Sequence, residues 1–229
     1  MGIITVDNPP VKVWLVNAGT GQYHYAAELP CKASLMVVQE SVAVPQSTRC
    51  FAVAQLAHLL SQMITIYADT TWTVFSQSLA SYSGKPLDLY QSPQASGPGI
   101  LRLIDENNEY EALPLQNITA IYPGGGTVYD PALTYLSPPE PLPQDCDADL
   151  LAAIQSYLPP GTPVEIRLGP TIVASGEVYR NEFGLIVLSN AAGETPVFIP
   201  ALQILRIFTS DSPVGFRGGD KPRIEIRKE

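Results

Sequence analysis

One phrase occurs twice in this chain, and it limits the fold more than any other feature. Gly99-Ile100-Leu101-Arg102-Leu103 followed by Ala112-Leu113-Pro114-Leu115-Gln116-Asn117-Ile118-Thr119-Ala120-Ile121-Tyr122 returns as Gly184-Leu185-Ile186-Val187-Leu188 followed by Phe198-Ile199-Pro200-Ala201-Leu202-Gln203-Ile204-Leu205-Arg206-Ile207-Phe208. In both copies isoleucine stands four and seven residues after the proline. Shared spacing in segments this apolar points to a duplicated β unit, and a repeat constrains architecture before any single element is assigned. It leaves activity open.

The second copy lies in a run that reads clearly. Asp145-Cys146-Asp147 offers an N-cap carboxylate to Leu150, Leu151, Ile154, Tyr157 and Leu158 at helical spacing, and Pro159-Pro160-Gly161 stops that helix. Residues 164–168 and 176–180 alternate, residues 185–188 form a short apolar strand, and 197–199 and 204–208 supply two more. One short helix and five short strands suit a small closed barrel.

The first copy has the same frame with a gap. A helical stripe of Leu56, Leu59, Leu60, Met63, Ile64 and Tyr67 predicts helix from about residue 57 to 82, interrupted by the β-branched run at Thr70 to Val74, and strands follow at 86–90 and 100–104. The second strand is expected to be missing, because Ser92-Pro93-Gln94-Ala95-Ser96-Gly97-Pro98 takes its place and proline does not suit a central strand. The N-terminal stretch reads as a worn third copy, with strands at 11–15, 22–26, 34–38 and 42–44 and a fifth at 50–53.

Gly176-Glu177-Val178, then Asn181-Glu182-Phe183 ahead of a strand ending Leu188-Ser189-Asn190, then the apolar spacing from Val197 to Ile207 are the most family-like features. On these residues the last unit resembles the Sm-like (Hfq/Lsm-type) family of small SH3-like β-barrels. The resemblance covers that unit well and the middle copy in part. It implies a mainly β fold with short helices, built as two to three tandem SH3/Sm-like small β-barrels. It also implies RNA recognition by polar and basic residues in the loop joining the last two strands. Here those places hold Pro200-Ala201 and Pro114-Leu115, so the likeness favours the fold and counts against RNA binding.

The organisation expected is a degenerate barrel-like unit at 8–55, a helix and middle unit at 56–123, a proline-rich linker at 124–144, a helix and C-terminal barrel at 145–211, and a mixed-charge tail at 212–229. The linker carries Pro131, Pro138, Pro139, Pro141 and Pro143 and is expected to run stiff and extended, with Tyr129 and Tyr135 packing back on a barrel. In the tail, Arg223, Ile224, Glu225, Ile226 and Arg227 alternate cleanly and predict a strand that pairs with another unit or another subunit.

Thirteen Lys and Arg stand against twenty-two Asp and Glu, a net charge of -9, which repels a phosphate backbone. Charged residues make up 15% of the chain, against roughly 25% in ordinary soluble domains. Low charge and short strands with pairing edges lead us to expect a homo-oligomer or a protein partner. With neither a basic-then-apolar leader nor an apolar run of spanning length, the expectation is a cytoplasmic protein without membrane insertion. The three cysteines, Cys31, Cys50 and Cys146, lack C-x-x-C spacing and read as reduced thiols.

Catalytic patterns are sparse. His24 and His58, the two histidines, have no partner at metal-ligand spacing, and there is no G-x-S-x-G elbow or phosphate-binding loop. Asp105-Glu106-Asn107-Asn108-Glu109 lacks calcium-loop order and reads as a hairpin turn. The expectation is therefore a non-enzymatic structural, scaffold or protein-interaction protein with no cofactor, catalytic residue or metal site. Two alternatives stand beside it. One is an Sm-like RNA-binding protein using Tyr179 and Phe183 as a stacking surface with Arg217, Lys221 and Arg223. The other is an enzyme whose site forms between subunits.

Overall fold

Ile3-Ile4-Thr5-Val6 is a β-branched run of the kind that favours extended backbone. It forms most of β1 (Gly2–Val6), a strand outside the boundaries expected from sequence. β2 (Val11–Val16), β3 (Tyr23–Leu29) and β4 (Ala33–Val37) follow. β1 pairs antiparallel with β4, and β2 with β3. The computed structural model describes residues 2–6, 11–16, 23–29, 33–37, 47–78, 80–209 and 222–226. These four strands belong to one unit, Met1–Val44, and the remaining elements to a second, Pro45–Glu229. The expected strand at 42–44 lies outside the described residues.

The fifth strand expected at residues 50–53 is helix instead. α1 (Thr48–Ile66) opens at Ser47, whose side chain accepts from the Cys50 N–H at 3.3 Å. Phe51, Leu56, Leu59, Leu60 and Met63 then follow at helical spacing and are all buried. The short apolar run at 50–53 was the first turn of a longer helical stripe, an ambiguity that periodicity over four residues does not resolve.

The middle run also differs from expectation. α1 ends at Ile66, and the β-branched segment beyond it is β5 (Trp72–Ser76). The strand expected at 86–90 is the far half of β6 (Ser81–Tyr90), which is the second strand of the run. The one absent from the expectation is the first, β5, and residues 92–98 form the loop after β6. Pro86 sits inside β6 without breaking it, because the register with the next strand shifts between Pro86 and Asp88 and so releases one ladder position. β7 (Ile100–Ile104), β8 (Tyr110–Pro114), a 3-10 turn at Leu115–Asn117 and β9 (Ile118–Tyr122) complete the run.

The C-terminal run carries the same elements in the same order. α2 (Cys146–Tyr157) is capped by Asp145, whose carboxylate accepts from the Ala148 N–H at 2.7 Å. β10 (Pro163–Arg167), β11 (Ile172–Glu182), β12 (Leu185–Ser189), β13 (Val197–Pro200), a 3-10 turn at Ala201–Gln203 and β14 (Arg206–Thr209) follow. The other end of α2 is closed by Asn181, whose amide donates to the Leu158 carbonyl at 2.8 Å and the Ile154 carbonyl at 3.2 Å.

The strands of both runs make one antiparallel sheet with the order β14-β10-β11-β12-β13-β9-β5-β6-β7-β8. Numbered within each run, the order is five-one-two-three-four in both halves. The sheet does not close on itself among the described residues. Phe51, Phe75 and Ala120 from the first run pack into the core of the second, and Leu185, Val187 and Phe198 from the second pack into the core of the first.

Residues 124–144 are more than a spacer. Tyr129 and Leu133 are buried against the first run's core, and Tyr135 packs beside them. Tyr67 fastens α1 to this segment, donating to the Val128 carbonyl at 3.0 Å and accepting from the Asp130 N–H at 3.0 Å. Burial pushes its phenol up to about 12. Among the described residues, no helix is long and apolar enough to cross a membrane.

Candidate functional site

The place where the two runs meet is built by β9 and β13. They lie antiparallel with Ile121 opposite Phe198, and both residues are fully buried. Tyr129 stacks against Phe198 at 6.4 Å between ring centroids and tilts against Tyr179 at 4.9 Å. α1 crosses the same junction, with Phe51 packed on Phe183 at 5.6 Å.

Each run contributes one further strand whose outer edge has no strand partner among the described residues. In the first run this is β8, and in the second it is β14. Both carry large apolar side chains in water: Tyr110 on β8 is 68% exposed, and Leu205 and Phe208 at β14 are 68% and 42% exposed. An apolar side chain on an unpaired edge is a template for adding another strand. The β6–β7 sheet next to β8 has a polar outer surface, where Arg102 donates to Asp88 at 2.7 Å and lies 5.8 Å over the Tyr90 ring.

A cleft of about 390 Å³ lies beside the junction, between the start of α1 and the two 3-10 turns. Its polar lining is mostly carboxamide. Gln77 donates to the Gln203 side chain at 2.7 Å, and Gln203 donates to the Gln116 carbonyl at 2.9 Å. Arg49, the one ionisable side chain lining the cleft among the described residues, is held by Asp147 at 2.6 Å. Carboxamides tied to one another bind by hydrogen bonding and supply no general acid, base or nucleophile.

The two helix starts are joined nearby. Asp145 caps α2 and also accepts from the Thr48 N–H of α1 at 3.2 Å. Thr48 and the Ala148 N–H together hold this carboxyl below the ordinary carboxylate range. Any stability drawn from it is present above the carboxyl's unfolded value and is lost as pH falls through the lowered native one.

Of the two aromatics expected to stack on nucleotides, Phe183 is buried and Tyr179 half-buried. Phe183 is 3% exposed because it fills the core against Phe51, and one side of the half-buried Tyr179 ring meets Tyr129. Aromatics next to charged residues read as solvent-facing in the sequence, whereas α1 covers Phe183 and the 124–144 segment packs Tyr129 against Tyr179. Arg223 is exposed, while Arg217 and Lys221 lie outside the described residues. The tail strand β15 (Arg223–Ile226) forms and pairs antiparallel with β11 of its own chain, Ile224 opposite Ala174. Arg227 lies outside the described residues.

His58 Nε2 lies 3.0 Å from Thr134 Oγ1 and helps seat the 124–144 segment on α1. Cys50 and Cys146 are free and exposed. Among the described residues, no group of three or more His, Cys, Asp or Glu is placed to hold a metal ion. Sequence reasoning missed the two open edges. The signal available for them was the apolar Leu205 and Phe208 at outward positions of a repeat whose other copy holds Thr119 and Tyr122. Compared with protein-family models, curated proteins and solved structures, the chain matches none of them.

Proposed function

We propose that this chain is a non-enzymatic structural protein whose two tandem Sm/SH3-like units serve as assembly modules, joining copies of the chain or a protein partner. The observation that carries the reading is the strand order, five-one-two-three-four in both runs, with the fifth strand of the first bonded to the fourth strand of the second. A unit that joins to its neighbour by edge pairing is an assembly module by construction. The low charge and the exposed apolar residues of the outer strands support the same reading.

Size-exclusion chromatography with light scattering, read at 260 and 280 nm, tests it. The expected result is a defined mass above the 24.7 kDa of one chain, with no nucleic acid in the peak. A single-chain mass at micromolar concentration with no bound protein, or a peak that carries nucleic acid, overturns it.

A further inference from the structure

The internal junction is a template for a second contact that the described residues leave unmade. Three features coincide there. β9 lies against β13 with Ile121 opposite Phe198. The backbone at Gly184 is covered, since a Cβ there would lie 3.6 Å from Ala52 Cα of α1. Phe51 of the same helix packs on Phe183.

The repeat maps Ile121 onto Ile207, Phe198 onto Ala112 and Gly184 onto Gly99. These equivalents lie at the two open ends of the sheet, where Gly99 and Ala112 are exposed and Ile207 is half-buried against its own unit's core. A Cβ on Gly99 would meet nothing within 4 Å. Ala112 is exposed where Phe198 is fully buried. The β14 end also exposes Tyr157 of α2, whose hydroxyl lies 3.3 Å from Thr209 Oγ1, so the apolar surface continues from strand to helix as it does at the junction. Charge is complementary between the ends: Arg206 is exposed on β14, and the β7–β8 hairpin carries Glu106, Glu109 and Glu111.

We propose that a second copy of this chain docks head to tail, β14 of one copy adding antiparallel to β8 of the next, with Ile207 opposite Ala112. The proposal rests on the reading of the two runs as assembly modules and names their partner. A fifth-strand edge accepts a fourth-strand edge inside this chain, and every copy carries one more of each. In the transferred register Arg206 lies diagonal to Glu111 of the next copy, a spacing that long side chains bridge. The contact is heterologous, so copies close into a ring or extend into a filament.

The test uses the full chain with Cys31, Cys50 and Cys146 replaced by serine and with Ala112→Cys and Ile207→Cys introduced. Directly opposed residues of antiparallel strands place their Cα atoms about 4.5–5.5 Å apart, within disulfide range. The two strands lie at opposite ends of the sheet order within one chain, so the bond joins two copies. Oxidation is expected to give a ladder of linked chains beyond the dimer on a non-reducing gel. Independently, Leu205→Glu with Phe208→Glu, both at exposed positions that the fold tolerates, is expected to return the otherwise unaltered protein from its assembled mass to 24.7 kDa. An assembled mass that survives the double substitution, with no ladder, overturns the edge assignment and leaves the assembly reading standing. A single-chain mass for the unaltered protein overturns both.

Discussion

Strands β9 and β14 hold the same place in their runs, follow the same 3-10 turn, and meet water differently. In β9, Ile118, Thr119, Ala120 and Ile121 are all buried. In β14, Arg206 and Phe208 are exposed, and so is Leu205 just before the strand. The isoleucines four and seven residues after the proline are kept in both copies, because those side chains turn toward each unit's own core. The positions between them differ: Thr119 and Ala120 are buried in β9, which has β13 beside it, and Leu205 and Arg206 are exposed at β14, which has no strand beyond it among the described residues. Burial in a repeat is thus set in two ways, by the unit for inward positions and by the neighbour for outward ones.

The sharpest way to break this comparison is to truncate one residue in each strand. Ile121→Ala is expected to cost about 4 kcal/mol, because the side chain is fully enclosed by both runs and leaves a cavity. Phe208→Ala, measured by denaturant unfolding at a dilution where the chain is single, is expected to cost under about 1 kcal/mol, as for surface substitutions. Equal costs would mean that β14 is as covered as β9 and that the open edge does not exist.

The same contrast explains what was legible in the sequence. The C-terminal run could be read almost strand by strand because Val164, Ile166 and Val178 alternate with polar residues and Asp145 announces α2. The middle run resisted for local reasons. Trp72 to Ser76 follows the stripe of α1 closely enough to read as a break within one helix, so the strand at 86–90 took the first place in the run and Pro93 and Pro98 of the following loop stood where a second strand was sought. The candidate site was less legible still. Open edges are defined by what is absent beside a strand, and no residue type records that directly.

A pair of glycines sharpens the comparison at the second strand of each run. β6 and β11 both pass from one neighbour to the next along their length, pairing with the first strand up to Gly84 and Glu177 and with the third strand beyond. A Cβ on Gly84 would lie 2.7 Å from the Ile104 carbonyl oxygen, a backbone atom that cannot move without shifting β7. A Cβ on Gly176 would meet side-chain carbons of Pro222 and Leu188 at 3.1 and 3.2 Å, a milder clash partly borne by the entry to β15. Gly84→Ala is expected to cost about 3 kcal/mol and Gly176→Ala about 1 kcal/mol, by overpacking. Chemical denaturation of the two variants checks the order, and a reversed order would show that β15 holds its place more firmly than β7.

The smallest effect is expected at Thr119 in β9. Thr119 is fully buried and its hydroxyl has no hydrogen-bond partner among the described residues, whereas the matching position in β14 is the exposed Leu205. A hydroxyl enclosed without a partner has lost its water and gained nothing in return. Thr119→Val keeps the branched shape that the strand favours and removes that group, so its expected effect lies between neutral and about 1 kcal/mol of stabilisation. Thermal unfolding checks the sign. A clear loss of stability would mean that the hydroxyl has a bound water or another partner at the junction, and that β9 meets β13 through a wetter seam than the packing of Ile121 and Phe198 implies.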